Sequence, residues 1–233
     1  MREHTVVLAR LTRVLAQTPA GEPLPLRLCR AFTEIAGAAG GALSIGYADP
    51  ERTVLGATDD LADRVENSQE VLREGPSLDA YRTGVPVTGL SAHEQVLRWP
   101  MLMESLAAEG PPALHAFPMR PHQVVMGVLT VHRPDAADLS ITADEGRVLA
   151  DAIGVAVIGG VEDGHETGQP WGVRDRVSQA TGMVVAQLHL TPVDAMAVLR
   201  AHAFATGRSL ADVSRAVLAR GLEFVDSDEG GGV

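Results

Sequence analysis

Apolar positions along the 233-residue chain fall into blocks that alternate between a helical and a strand-like period. Val7, Leu8, Leu11, Val14 and Leu15 recur at helical spacing until Thr18, Pro19 and Gly21 end the pattern, which predicts an amphipathic helix within a leading unit of residues 1–23. A second helix is expected over 24–39. Gly40 and Gly41 then release the chain into two short strand-like runs, 42–47 and 53–57, around a turn at Asp49 and Pro50. Residues 61–82 read as mostly helical with an interruption at Gly75 and Pro76, 85–88 as a short strand and 99–108 as a helix. The clearest strand pair is 113–119 with 124–132, joined through Arg120, Pro121 and His122, for which antiparallel pairing is the economical connection. Thr142, followed by Ala143, Asp144 and Glu145, has the form of an N-cap with acid in the first turn and opens a helix running to about residue 161.

The polar stretch that follows contains Gly164, Gly168 and Pro170, and residues 164–170 are expected to be a linker. Three compact helical patterns come next. The first uses Val173, Val177, Ala180, Val184 and Leu188. The second starts at Thr191, Pro192, Val193 and Asp194, where a capping residue, a proline at the first position and an acid at the third agree; Gly207 ends it. Ser209, Leu210, Ala211 and Asp212 repeat the capping pattern for the third, with Leu210, Val213 and Val217 on its apolar side. The glycine-rich acidic tail 226–233 is expected to be disordered. The fold class that results is α+β, an antiparallel sheet flanked by helices over 24–163, followed by an all-α three-helix bundle over 171–225.

Charge divides along the same line. The whole chain has 30 acidic and 19 basic residues, a formal net charge of -11, which weighs against nucleic-acid binding until its distribution is seen. Residues 1–163 hold 13 Arg against 22 Asp or Glu, a net of -9, whereas 171–222 hold 6 Arg against 3 Asp, a net of +3. All the basic residues are arginine, so no lysine-bearing phosphate loop is present. Cys29 is the single cysteine, which excludes an intramolecular disulfide and any multi-cysteine metal site and suits a reducing, cytoplasmic compartment. The charged N-terminal stretch lacks the form of a secretory signal, and the longest mainly apolar run, 148–161, is too short to span a bilayer; no membrane partner is expected.

The bundle stretch resembles an ANTAR domain, a small three-helix RNA-binding module of bacterial transcription antiterminators. The matching residues are Gln179, Ala180, Thr181, Gly182 and Met183, then Ala195, Leu199, Arg200, Ala203 and Phe204, then the run from Gly207 through Arg208, Ser209, Leu210, Ala211 and Asp212 to Val213. The family often has a basic residue where this chain has Thr181. The preceding module is similar to a GAF sensor domain. That resemblance lies in Gly75, Pro76, Ser77, Leu78, Asp79 and Ala80, in Gly84, Pro86 and Val87, and in the strand carrying Met126, Gly127, Val128, Leu129 and Val131. Together the two resemblances imply a signal-responsive regulator that binds structured RNA hairpins, with an unidentified small-molecule effector for the sensor.

Arg200, Arg208, Arg215, Arg220 and Thr181 are the candidate RNA-binding residues, since helix surfaces can present guanidinium groups to phosphates or stack them on unpaired loop bases. Ala180, Gly182, Ala195 and Ala203 are read as allowing close helix packing. His93, His115, His122 and His132 lack the spacing of a zinc or haem site and read as solvent-facing or hydrogen-bonded core residues, so no metal or cofactor is assigned. Ser44, Ser77 and Ser105 lie outside any nucleophile elbow, and the chain is not expected to be an enzyme. The sensor is expected either to enclose an apolar pocket between its sheet and helices 61–108, or to have that space filled by Trp99, Met101, Met103 and neighbouring side chains. Val148, Leu149, Ile153, Val155, Val157, Ile158 and Val161 cover more than one helix face, which suggests a homodimer unless the N-terminal helix covers them within one chain. The rival function is a sensory or protein-interaction module whose bundle does not bind RNA; a DNA-binding regulator is disfavoured because no helix-turn-helix or strongly basic recognition face is evident.

Overall fold

The computed structural model describes residues 2–19, 21–46, 52–107, 110–134, 138–162 and 170–224. The expected turn at Asp49 and Pro50, nearly all of the expected linker and the expected disordered tail lie outside them. Four strands, β1 (Gly40–Ile45), β2 (Thr53–Ala57), β3 (Ala113–Met119) and β4 (Gly127–Arg133), form one sheet in the order β2-β1-β4-β3. Every neighbouring pair is antiparallel, with Leu43 opposite Leu129 and Phe117 opposite Leu129 at its centre. The expected strand over 85–88 is reduced to a single bridge, in which Val87 exchanges two 2.8 Å hydrogen bonds with Ala116. Pro86 has no N–H to extend it.

Side chains alternate across the sheet, so the two faces collect different cores. Leu43, Phe117, Met119, Leu129 and Val131 point to one face, which is covered by α1 (Arg2–Gln17), α2 (Leu24–Ala36) and α7 (Ala143–Glu162). The Phe32 and Phe117 rings meet there edge to face at 5.3 Å. Leu114, Ala116 and Val128 point to the opposite face, covered by α3 (Asp60–Leu72), α4 (Pro76–Thr83), α5 (Ala92–Arg98) and α6 (Pro100–Ser105). The helix α2 stops three residues before the expected end because Gly37 takes a left-handed conformation, φ 67°, and caps it. Where one helix was expected over 99–108, two short ones meet at Trp99, whose φ of -134° and ψ of 66° precede Pro100. The earlier of the two begins at a capping box made by Ser91 and Glu94.

Thr142 and Glu145 form the expected cap of α7: the Glu145 N–H donates to Thr142 Oγ1 at 3.2 Å and the Thr142 N–H to Glu145 Oε2 at 2.8 Å. This helix crosses the sheet at close range. A Cβ at Gly146 would overlap the Phe117 ring, and one at Gly154 would stand 3.0 Å from Pro121 Cδ and 3.2 Å from Met119 Cβ. Leu149, Ile153 and Val157 are buried in the same core as Val7, Leu11 and Val14 of α1, so the N-terminal helix covers this face within one chain. Val155 and Ile158 remain exposed. Among the described residues no single helix is long and apolar enough to cross a membrane.

Candidate nucleic-acid interface

The C-terminal helices α8 (Pro170–Leu188), α9 (Pro192–Thr206) and α10 (Leu210–Leu218) enclose a core of their own. Thr191 Oγ1 accepts from the Asp194 N–H at 3.2 Å and Ser209 Oγ from the Asp212 N–H at 3.1 Å, so both expected caps form. Gly207 at φ 62° ends α9, and the Arg208 N–H returns to the Ala203 carbonyl at 3.0 Å. Ala180, Ala195 and Ala203 are fully buried between Val184, Leu199, Val213 and Val217, and their small side chains let the helices approach. Gly182 does not share that role: it is exposed, and a Cβ there would meet nothing within 4 Å.

The structure separates the candidate RNA-binding residues. Thr181 is 8% exposed and donates its hydroxyl to the Val177 carbonyl at 2.8 Å, so it belongs to the bundle interior, correcting its assignment as a contact residue. Arg215 is exposed and donates from Nη1 to Asp212 Oδ1 at 2.7 Å, a surface pair one helical turn apart. Arg220 is exposed just beyond α10 with φ 53°. Arg208 is exposed and donates to the Asp212 carbonyl at 3.1 Å. Arg200 is half-buried and lies within electrostatic reach of Glu70 on α3, a carboxyl that burial pushes up despite the opposing fields of Arg52, Arg200 and Arg73.

Arg208 lines an open cleft of about 660 Å³ between the bundle and α3. The bundle side also contributes Phe204, Ser209 and Asp212, while α3 contributes Asp63, Arg64, Asn67 and Ser68. Phe204 is 58% exposed and is the surface aromatic of α9, a role that sequence reasoning did not give it. The signal was available: Ala195, Leu199 and Ala203 set the buried stripe at intervals of four, and Phe204 stands one position off it. Asp63 faces Asp212 across this region; burial raises its pKa first, and Asp212 and Asp60 add to the rise while Asn67 opposes it.

A second polar constellation lies between the sheet and α3, where the sensor pocket was one of the two expectations. Glu66 is fully buried and ion-paired with Arg52, whose side chain is itself 3% exposed. Glu66 Oε1 accepts from Gln69 Nε2 at 2.9 Å and Ser77 Oγ at 3.0 Å, and Oε2 accepts from Ser44 Oγ. Ser77 Oγ also lies 2.6 Å from Thr130 Oγ1, and the Ser77 N–H donates to Gln69 Oε1 at 2.9 Å. This ties β1, β4, α3 and the start of α4 into one buried network. Gly75, φ 137°, lets the chain pass Gln69, whose side chain a Cβ would overlap. Beside the network, Trp99, Leu102 and Met103 are buried against Leu114 and Val128, while Met101 is half-exposed. The gap left by Ala42, Val65, Leu114 and Thr130 does not admit a water molecule, so the filled-core alternative describes this region.

The histidines of the sheet are internal. His115 Nδ1 lies 2.8 Å from Thr88 Oγ1, and burial, helped by the charge of Arg133 and opposed by Asp138, pulls its pKa down to about 4. His132 Nε2 lies 3.1 Å from Asp59 Oδ1. Burial works to raise the Asp59 pKa, but bonds from the Ala62 N–H, Thr58 and His132 outweigh it and hold the carboxyl below its usual range. Asp79 accepts from Arg98 Nε at 2.9 Å and Trp99 Nε1 at 3.1 Å, joining α4 to the α5–α6 corner.

Comparison with known proteins matches residues 173–218 to the ANTAR domain family. No curated protein matches the sequence. The structure is similar to the GAF domain of a phosphoenolpyruvate-protein phosphotransferase from Coxiella burnetii at 15% identity and a TM-score of 0.47, covering 69% of this chain and 98% of that one. It is similar to the GAF domain of the Acinetobacter phosphoenolpyruvate-protein phosphotransferase at 12% identity and a TM-score of 0.48, covering 66% and 94%. The GAF-B domain of DevS from Mycobacterium smegmatis aligns at 18% identity and a TM-score of 0.41, covering 60% and 94%. The capped three-helix bundle at residues 173–218 is therefore an ANTAR domain, carried behind an α+β module built on a four-stranded antiparallel sheet.

Proposed function

We propose that the chain is a cytoplasmic, signal-responsive RNA-binding regulator of transcription antitermination. The ANTAR match over residues 173–218 carries this reading. The charge division supports it, because 171–222 have a net of +3 beside a module of -9. In this reading residues 171–225 bind a structured leader RNA, 24–163 sense, and 164–170 link them. Exposed loop bases would stack on Phe204, while Arg208, Arg215 and Arg220 would contact phosphates, and holding the leader hairpin would keep an intrinsic terminator from forming. The filled space between sheet and α3 favours an effector, small molecule or protein, that acts at the module surface. A homodimer would use the exposed Val155 and Ile158; light scattering should then give twice 24.5 kDa, and a concentration-independent monomer would remove that part.

The test is binding of the full chain to hairpin RNA, to a scrambled strand and to duplex DNA across a salt series. Hairpin preference that persists as salt rises, and weakening by Arg208→Ala without loss of helix content, supports the reading. Equal affinity for every polyanion, vanishing uniformly with salt, refutes it. The rival, a protein-interaction module that does not bind RNA, draws on one observation: the family's basic position is here the buried Thr181.

A further inference from the structure

The space between the sheet and α3 has no room for an added molecule, and part of it is filled by a charged side chain reaching in from the edge of the sheet. Arg52 stands just before β2, and its side chain is 3% exposed. Its guanidinium straddles a single residue: Nη1 donates to the Glu66 carbonyl at 2.7 Å, and Nη2 pairs with the Glu66 carboxylate. The other bonds to that carboxylate come from Ser44 of β1, Gln69 of α3 and Ser77 of α4, and none of them passes through Arg52. We propose that Glu66, held by Ser44, Gln69 and Ser77, is a guanidinium-binding site whose occupant in this structure is Arg52, and that a small molecule carrying a guanidinium on a short unbranched stem takes Arg52's place. The inference is independent of the RNA reading and of an effector at the module surface.

Geometry sets the class of ligand. A backbone carbonyl and a carboxylate oxygen are met by two different nitrogens of one planar group, a fork that a compact ammonium does not offer. Glu66 is fully buried, so a site without a cation would strand its charge, whereas exchanging one guanidinium for another leaves the charge paired. The volume that Arg52 vacates is that of a straight alkyl stem in a close-packed interior, which rejects a branched or bulky one. Exchange is also mechanically cheap. The ladder between β1 and β2 begins at Thr53, opposite Ile45, so Arg52 can swing out without breaking a strand pair. Arg52 competes from its own tether at an effective concentration on the order of millimolar. A free ligand therefore exchanges in that range, with an apparent dissociation constant raised by the inverse of the fraction of chains whose Arg52 is withdrawn. Its binding unties the start of β2 from α3 while Ser44 and Ser77 keep their bonds to Glu66.

The experiment uses the full chain, Arg52→Ala, and Arg52→Ala combined with Glu66→Gln. The probe is ethylguanidinium, the fragment that Arg52→Ala removes, and ethylammonium at equal concentration controls for charge. Thermal unfolding reads stability, and a ligand-observed NMR titration reads binding. Arg52→Ala is expected to melt below the wild type and to recover at least about half of that loss, saturably, in millimolar ethylguanidinium. Neither ethylammonium nor the Glu66→Gln background should show that recovery. The wild type is expected to bind the same probe with an apparent dissociation constant about tenfold or more above that of Arg52→Ala. Should Arg52→Ala not fold alone, refolding in each probe decides: folding in ethylguanidinium and not in ethylammonium supports the site, and failure in both overturns it. Recovery that ethylammonium matches, or binding that survives Glu66→Gln, would overturn the guanidinium assignment. Binding by Arg52→Ala with none by the wild type, at probe concentrations about tenfold above the effective concentration of the tethered side chain, would overturn the exchange.

Discussion

Replacing Glu66 by alanine should destabilise the α+β module more than any surface substitution. The carboxylate is fully buried and accepts hydrogen bonds from Gln69, Ser77 and Ser44 while pairing with Arg52, whose guanidinium is nearly inaccessible. Removing one partner of a buried ion pair costs roughly 3–5 kcal/mol, because the other charge stays buried without compensation. Four donors lose their acceptor at once here, which places the expected loss near the top of that range. For a chain of this length the same loss lowers the melting temperature by roughly 10 °C or more. Urea unfolding followed by circular dichroism, extrapolated to water, measures it. Glu66→Gln keeps an acceptor and should fall between alanine and wild type, and Arg52→Met with Glu66→Leu should recover most of the stability, since no charge is then stranded. A loss below about 1 kcal/mol for Glu66→Ala, the size seen for exposed pairs, would show that water reaches the cluster and would refute this account.

Gly75→Ala should destabilise by at least about 1–3 kcal/mol, because φ 137° is strained for any side chain and the added Cβ meets Gln69; wild-type urea midpoints for this variant would contradict the fit. His115 has a folded pKa of about 4 against 6.5 for the free group, so its stabilising contribution is complete above pH 6.5 and is lost as pH falls toward 4. Stability at pH 5 should then be about 2 kcal/mol below that at pH 7, and His115→Gln should flatten that part of the profile; an unchanged slope would assign it to other groups. Cys29 is fully buried with its thiol pushed up to about 12 by burial, so a thiol reagent at pH 8 should label it only as fast as the protein unfolds, and rapid labelling of the native chain would contradict that burial.

Elements with a local signature were legible in the sequence. The strand at Ala113–Met119 and the caps at Thr142, Thr191 and Ser209 stand where pattern and capping chemistry put them. Two helix boundaries moved for local reasons, a left-handed glycine at Gly37 and an extended residue before Pro100, and two strands shifted as well, the one expected over 42–47 to Gly40–Ile45 and the one expected over 124–132 to Gly127–Arg133. The capping box at Ser91 and Glu94 was equally local and marks α5, which the expected helix over 99–108 omitted. The buried network was not legible. Glu66 meets Ser44, Arg52 and Ser77 only because the sheet and α3 bring distant segments together, and a carboxylate or guanidinium read alone defaults to a solvated face. Arg200 shows the same limit, since its electrostatic partner Glu70 lies 130 residues earlier.

The close passage of α7 over β3 limits how the module can move its longest helix. Gly146 and Gly154 act as keyways cut to fit Phe117, Met119 and Pro121. Turning α7 about its own axis by one residue would bring Glu145 or Arg147 against the Phe117 ring, so that rotation is locked. Tilting is the motion left to it. The helix continues 8 residues beyond Gly154 to Glu162, a lever of about 12 Å, and a tilt of roughly 10° about that second keyway carries its far end, from which the chain sets out for the bundle, sideways by about 2 Å.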